Sequence, residues 1–282
     1  MYKILKKEEL APGVKLIEVH APLIAQKAKP GQFVILRVNE KGERIPLTIA
    51  DINLNLESII IVFQEIGKTT KLLGKLREGE KILDLVGPLG TPSEIENFGT
   101  VIGVGGGVGI AALYPILKAL KEKENYIISI LGARSKNYLI FKDKIEEISD
   151  EIYLATDDGS LGHKGFVSDV LKSILDSGKK VDRIWAIGPT IMMKVISELT
   201  KPYGIKTIVS LNPIMIDGTG MCGGCRVNIG NKTMFTCVDG PEFDGHLVNF
   251  DELLLRLKTY KEEEQTALKL LEEGEGSKVV SK

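Results

Sequence analysis

The stretch Thr100-Val-Ile-Gly-Val-Gly-Gly-Gly-Val-Gly109 decides how the middle of this chain folds. Thr100 to Val104 is an apolar, β-branched run. Gly105, Gly106, Gly107 and Gly109 follow, and a helical pattern then continues to Lys121. The reading is strand, tight turn, helix. Asn97 to Leu117 carries no charge over 21 residues, which is long enough to cross a bilayer. It also holds six glycines and Pro115, so a strand, a turn and a helix start explain it better than one continuous span. No membrane span is expected. Glycines at such a turn let the backbone approach a pyrophosphate, and the helix start adds free N–H groups and a favourable dipole. The spacing is not G-x-G-x-x-G, so a strand-to-helix turn without a ligand stays open.

Towards the C-terminus the pattern repeats. Strands are predicted at Tyr126–Leu131, Ile152–Ala155, Arg183–Ile187 and Thr207–Leu211. Helices are predicted at Lys142–Ile148, Val167–Leu175 and Thr190–Leu199. Alternating strands and helices imply a doubly wound parallel sheet, which binds ligands beyond the carboxyl ends of its strands. Two further ends are candidates: Thr156-Asp157-Asp158-Gly159-Ser160, and Gly188-Pro189. Asp157 and Asp158 can accept hydrogen bonds from ribose hydroxyls and would repel a 2′-phosphate. Solvated turn carboxylates are the plain alternative.

Towards the N-terminus the rhythm is β. Val14–Val19, Gly31–Val38, Ser58–Gln64 and Lys81–Val86 are predicted strands separated by turn signals, with one helix near Thr69–Leu76. Short strands at this spacing suggest a small β barrel. The shifts of period and composition give three segments: a barrel at 1–96, an α/β domain at 97–211 and a C-terminal segment at 212–282. The last segment ends in a charged helix predicted over Phe250–Leu271, for docking or for packing, and about ten disordered residues.

With 282 residues, about two domains are expected. Lys plus Arg total 37 and Asp plus Glu total 38, a balance that argues against a nucleic-acid binder or a polybasic membrane protein. The start MYKILKKEEL lacks the apolar run of a signal peptide. A cytoplasmic location is expected.

The three cysteines, Cys222, Cys225 and Cys237, fall within 16 residues. An odd, tight set is a poor disulfide framework and a plausible metal site. Asp217 lies where the first cysteine of a C-x4-C-x2-C ferredoxin loop would be, giving D-x4-C-x2-C-x11-C. Gly218, Gly220, Gly223 and Gly224 permit a loop that wraps a [2Fe–2S] cluster. A zinc site of three cysteines and a carboxylate, or three structural cysteines, are the alternatives.

Several stretches together resemble one family over about residues 1–260. They are Glu43-Arg-Ile-Pro-Leu-Thr-Ile-Ala-Asp51, Gly67-Lys-Thr-Thr70, Gly105–Gly109, Thr156–Ser160 and above all Asp217–Glu242. The chain resembles the electron-transfer subunit of dihydroorotate dehydrogenase. It resembles still more the small subunit of NADH-dependent reduced ferredoxin:NADP oxidoreductase, also described as the flavin subunit of a sulfide dehydrogenase. The resemblance implies a ferredoxin-reductase-like fold with FAD on the barrel. The family's flavin motif is R-x-Y-[ST]. Pro46-Leu47-Thr48 resembles its end, with Leu47 in place of the aromatic, and Arg44 stands one position early for the pyrophosphate arginine. Val62-Phe63-Gln64 resembles the strand beside the flavin, and Gly67 with Thr69 and Thr70 the FAD-phosphate turn. By the same resemblance, NADP-specific reductases place serine and arginine where Asp157-Asp158 falls, so NAD(H) is expected. Arg134 points the other way. Ile187 stands where many members carry a cysteine.

The resemblance implies hydride exchange between NAD(H) and FAD, single-electron passage through a [2Fe–2S] cluster, and a heterodimer with a larger flavin/[4Fe–4S] subunit. Ferredoxin would act only through that partner, as in electron bifurcation. No side chain is expected to act as acid or base. The rival enzyme readings are the dihydroorotate system, whose pattern has a cysteine at the position of Asp217, and a sulfide dehydrogenase. A redox-sensing module without catalysis is the rival of another class.

Overall fold

Seven strands near the N-terminus curl into a nearly closed antiparallel barrel because one face of each is apolar and finds the others. The computed structural model describes the backbone from Met1 to Val279, and side chains as far as residue 274. The strands are β1 (Tyr2–Ala11), β2 (Val14–His20), β3 (Phe33–Arg37), β4 (Arg44–Asn53), β5 (Ser58–Gln64), β6 (Lys81–Ile82) and β7 (Asp84–Leu89), in the order β6-β1-β2-β5-β4-β3-β7. Helix α1 (Pro22–Ala25) and helix α2 (Lys68–Lys75) interrupt them. Ile4, Ile17, Val34, Leu36, Ile59, Ile61 and Phe63 fill the interior. The sequence reading named neither β1 nor β4 as a strand. Four consecutive charges, Lys6 to Glu9, mask the alternation of β1, and Pro46 breaks the apparent pattern of β4. The single strand expected at Lys81–Val86 is two, β6 and β7, on opposite edges of the sheet.

The second sheet follows the sequence reading closely. Its strands are β8 (Thr100–Gly106), β9 (Tyr126–Ala133), β10 (Glu151–Thr156), β11 (His163–Lys164), β12 (Arg183–Ile187) and β13 (Thr207–Ser210). The order is β11-β10-β9-β8-β12-β13, all parallel. Helices α3 (Gly109–Glu122), α4 (Lys142–Glu146), α5 (Val167–Asp176) and α6 (Thr190–Thr200) cover it. The order reverses between β8 and β12, the place where doubly wound sheets take ligands beyond the carboxyl ends of their strands. Helix α3 is apolar nearly all round because it is buried twice. One side meets the sheet, and the other meets barrel residues Ala11, Val14, Leu16, Ala50 and Val62.

The C-terminal segment contributes a hairpin, β14 (Arg226–Ile229) with β15 (Lys232–Phe235), and β16 (Glu242–Asp244). Strand β16 pairs antiparallel with β13 and adds a seventh strand to the second sheet. Glu242 pins this junction. Its carboxylate accepts from Ser93 Oγ at 2.6 Å and from Trp185 Nε1 at 3.2 Å. It thereby joins the barrel exit, β12 and β16, and burial pushes its carboxyl above the ordinary carboxylate range.

The helix expected over Phe250–Leu271 is two helices, α7 (Phe250–Arg256) and α8 (Lys261–Val279). Thr259 Oγ1 donates to the Arg256 carbonyl at 2.7 Å, a local bond that competes with helix continuation. Helix α8 lies beside α2, where Lys71 Nζ meets Glu272 Oε1 at 2.6 Å. The expected disorder of the last ten or so residues is corrected as far as Val279, which α8 reaches. The final three residues lie outside the described part.

Candidate functional site

Two of the turns singled out from sequence meet at the sheet reversal. Gly109 is so close to the end of β12 that a Cβ there would stand 2.4 Å from the Ile187 carbonyl oxygen. A Cβ on Gly106 would stand 2.5 Å from Met192 Sδ and 3.1 Å from Pro189 Cδ, and one on Gly188 would stand 3.1 Å from Gly106 Cα. These glycines let the two turns touch. Gly107 differs. Its φ is +55°, and no atom lies within 4 Å of the direction a Cβ would take. Gly105 packs on Ile110. The turn therefore combines glycines needed for protein packing with one that faces open space, where a ligand's phosphates can come close.

Further along the sheet, the loop after β10 is tied to the end of β9. Asp157 N–H donates to the Ala133 carbonyl at 3.2 Å, and Asp158 N–H to the Arg134 carbonyl at 3.3 Å. Both carboxylates are exposed. Ser160 hydrogen-bonds Asp158 and holds its carboxyl below the ordinary range. The Arg134 guanidinium lies 3.6 Å over the Tyr138 ring, a stacked position for the cation.

On the barrel, β4 alternates. Ile45, Leu47 and Ile49 pack into the interior, which leaves Arg44, Pro46 and Thr48 on the outer face. Across the ladder, Thr48 stands opposite Phe33 and Pro46 opposite Ile35. Arg44 is exposed, and its guanidinium has no partner among the described residues. Of Val62-Phe63-Gln64, Phe63 fills the barrel core, Val62 packs towards α3, and Gln64 is exposed. The Phe63 ring is thus committed to packing. Gly67 opens α2, where Thr70 Oγ1 accepts from Gly67 N–H and donates to the Gly67 carbonyl, both at 3.0 Å. Thr69 Oγ1 donates to Glu43 Oε2 at 3.0 Å, a partner that sequence reasoning missed. The first N–H groups of α2 have no partner inside the helix, as at any helix start, and so can receive an anion. A cleft beside them is lined by Asn39, Glu40, Lys41, Lys68 and Leu72.

The cysteine loop lies against this barrel. Cys225 and Cys237 are buried with Phe33, Ile35 and Met215. Their sulfurs are 3.2 Å apart, too far for a disulfide. Burial, and then the neighbouring Cys225 thiol, pushes the Cys237 thiol up to about 12. Cys222 is exposed, and its Sγ accepts from Gly224 N–H at 3.4 Å. Asp217 bridges the loop, its carboxylate accepting from Thr219 N–H at 3.0 Å and from Cys222 N–H at 2.8 Å. These bonds hold its carboxyl below the ordinary range. Gly218 (φ +74°) seats the loop, since a Cβ there would be 2.5 Å from Ile35 Cγ1.

Among the described residues, no three His, Cys, Asp or Glu side chains converge tightly enough for a single metal ion. The donors instead form two neighbouring pairs, Asp217 with Cys222 and Cys225 with Cys237. Two pairs of ligands on a glycine-rich loop fit a two-iron cluster, which is wider than one ion, better than a tetrahedral zinc site. Beside the loop, Phe33 and Ile35 share the outer face of the barrel with Thr48 and Pro46. Sequence alone did not reveal this platform, because it depends on register.

Comparison with known proteins agrees with this arrangement. Residues 212–249 match the iron–sulfur cluster binding domain of dihydroorotate dehydrogenase B. A Thermotoga maritima protein named as a homolog of the dihydroorotate dehydrogenase B (NAD(+)) electron transfer subunit is 53% identical, with 93% of each chain covered. The corresponding Desulforamulus reducens subunit is 32% identical over 86% of this chain and 94% of its own. A chain from the structure of the NADH-dependent reduced ferredoxin-NADP oxidoreductase superposes with a TM-score of 0.91 at 50% identity, covering 96% of this chain and 98% of that one. The Neisseria gonorrhoeae ferredoxin NADP+ reductase, at 19% identity and a TM-score of 0.59, shares the fold over 72% of this chain and 90% of its own. Among the described residues no helix is long and apolar enough to cross a membrane. By sequence, fold and cluster domain, the chain belongs to the family of dihydroorotate dehydrogenase B electron-transfer subunits, flavin-dependent oxidoreductase subunits of ferredoxin-reductase type that use FAD, NAD(H) and an iron–sulfur cluster.

Proposed function

We propose that this chain is the small subunit of an electron-bifurcating, NADH-dependent reduced ferredoxin:NADP oxidoreductase. In this reading residues 1–96 carry FAD, residues 97–211 carry NAD(H), and residues 212–282 carry a [2Fe–2S] cluster. The bound flavin supplies the conversion between two-electron hydride chemistry and single electrons. The chain's own residues bind and orient. Thr48 and Pro46 present the flavin face of the barrel, and Arg44 with the Gly67–Thr70 turn receives the phosphates. Gly105, Gly106, Gly107 and Gly109, with Gly188 and Pro189, admit the dinucleotide at the sheet reversal. Asp157 and Asp158 receive the ribose hydroxyls and disfavour a 2′-phosphate by charge. Asp217, Cys222, Cys225 and Cys237 hold the cluster, and no acid or base is required.

The observation that carries this reading is the seating of Gly218 on Ile35. It puts the cysteine loop on the same barrel face as Thr48, which supports a short electron path between the two cofactors of this reading. Asp217 favours this system over dihydroorotate oxidation, whose pattern has cysteine there. The larger partner is inferred from the relatives, which are named as subunits. The test is purification of the native complex, with NAD+ reduction assayed with NADPH plus oxidised ferredoxin, which takes the other electrons, and with dihydroorotate. Activity with the first and none with the second supports the reading. The reverse identifies a dihydroorotate dehydrogenase subunit, which the names of the relatives favour as the second reading.

A further inference from the structure

Both carbonyls of the glycine pair between Cys222 and Cys225 are held by arginines. Arg226 Nη1 donates to the Gly223 carbonyl at 3.2 Å, and Arg256 Nη2, from α7, donates to the Gly224 carbonyl at 3.0 Å. Each carbonyl shares a planar peptide with the next N–H, which points the opposite way. The Gly223 carbonyl is therefore joined to the Gly224 N–H that donates to Cys222 Sγ at 3.4 Å. The Gly224 carbonyl is joined in the same way to the N–H of Cys225. One cation thus backs each of the last two amides of the C-G-G-C turn. It aligns the peptide and polarises its N–H towards the sulfur side.

Neither guanidinium has a carboxylate partner among the described residues. Glu252, one turn before Arg256, is taken up by Asn228 at 2.5 Å and by Asn249. The Nε of Arg256 is buried with no hydrogen-bond partner, so its charge is neither paired nor fully hydrated. A buried cation without a counter-ion is costly unless a negative group stands nearby. The cluster of the proposed function is such a group. Two ferric ions, two sulfides, three thiolates and one carboxylate sum to a dianion, and one added electron makes a trianion.

We propose that Arg256, assisted by Arg226, is a positioning residue that raises the reduction potential of the [2Fe–2S] cluster by favouring its more negative reduced state. The inference rests on the cluster reading above. Arg256, partly buried, acts through a low dielectric and is weakly screened. Arg226 is exposed, so its contribution is smaller and falls with salt.

The test is a redox titration of the full chain, followed by EPR and visible circular dichroism, with iron content measured on the same samples. Arg256→Gln, which keeps a donor but removes the charge, is expected to lower the midpoint potential at unchanged iron content. Arg256→Lys is expected to restore most of the shift, which a purely structural role would not do. Arg226→Gln is expected to give a smaller drop at low salt that vanishes as salt is raised. Wild-type potentials in Arg256→Gln and Arg226→Gln at full iron content overturn the proposal. If Arg256→Gln holds no iron, Arg226→Gln at low salt decides, and a wild-type potential there overturns it. A wild-type chain without iron overturns the cluster reading itself, and this inference with it.

Discussion

Gly218 of the cysteine loop and Ile35 of the barrel are in such close contact that a Cβ on the glycine would stand 2.5 Å from Ile35 Cγ1. Gly218 also has φ +74°, a conformation that costs an L-residue about 1 kcal/mol or more. Gly218→Ala therefore combines backbone strain with overpacking, and a total loss of about 2 kcal/mol or more is expected. Gly223 is the control. It has φ +66°, but its nearest neighbour would be 3.7 Å away, so only the strain applies. Denaturation midpoints and iron content check this. Gly218→Ala should lose iron and stability more than Gly223→Ala.

In the proposed ligand set Asp217 contributes a hard oxygen beside three thiolates, and its carboxylate accepts from Cys222 N–H at 2.8 Å. Ligand identity and local hydrogen bonds set the potential of such clusters. Asp217→Cys should keep the cluster with a changed potential. Asp217→Ala should weaken its retention. Iron content and EPR of both variants check this, and unchanged spectra and potentials in both would remove Asp217 from the ligand set.

In the proposed reading, coenzyme choice rests on the exposed carboxylates after β10. Joint replacement Asp157→Ser and Asp158→Arg exchanges repulsion of a 2′-phosphate for attraction. The ratio of kcat/KM for NADPH over NADH should rise by about tenfold or more, the scale of a charge contact worth about 1.4 kcal/mol. Steady-state dye reduction with each coenzyme measures it. An unchanged ratio would mean that Arg134, beside the same loop, governs the choice.

Much of this was legible before the structure, for physical reasons. Five strands of the parallel sheet were readable because each is a short apolar run ended by glycine or a small residue; the edge strand β11, His163–Lys164, is polar and too short to read. The cysteine loop was readable because ligands in such loops lie close in sequence. Strand β1 was hidden by its charges, and β4 by Pro46. The platform of Phe33, Ile35, Pro46 and Thr48 depends on strand register. Arg256 behind the C-G-G-C turn depends on where α7 docks. Neither is written in local spacing.

Stability at low pH should depend on Glu151. Tyr126 and Tyr153 donate to its carboxylate at 2.8 Å each, and Lys179 pairs with it. Its pKa falls from an ordinary 4.5 to about 2, chiefly through Lys179. The unfolded chain takes up the proton first, so the contribution is complete above 4.5 and is lost as pH falls towards about 2. The site is partly hydrated, which reduces the contribution to about 1 kcal/mol. Glu151→Gln should lower Tm at neutral pH, and the gap from wild type should close with acidification. A gap independent of pH would contradict this.

The central claim is that one chain holds a flavin and a [2Fe–2S] cluster side by side, and cofactor analysis of the anaerobically purified full chain tests it most directly. The account predicts one FAD and one [2Fe–2S] cluster per chain, with the cluster lost on replacement of Cys225 or Cys237 while the flavin stays. A chain with flavin but no iron, or with zinc in place of iron, would contradict it.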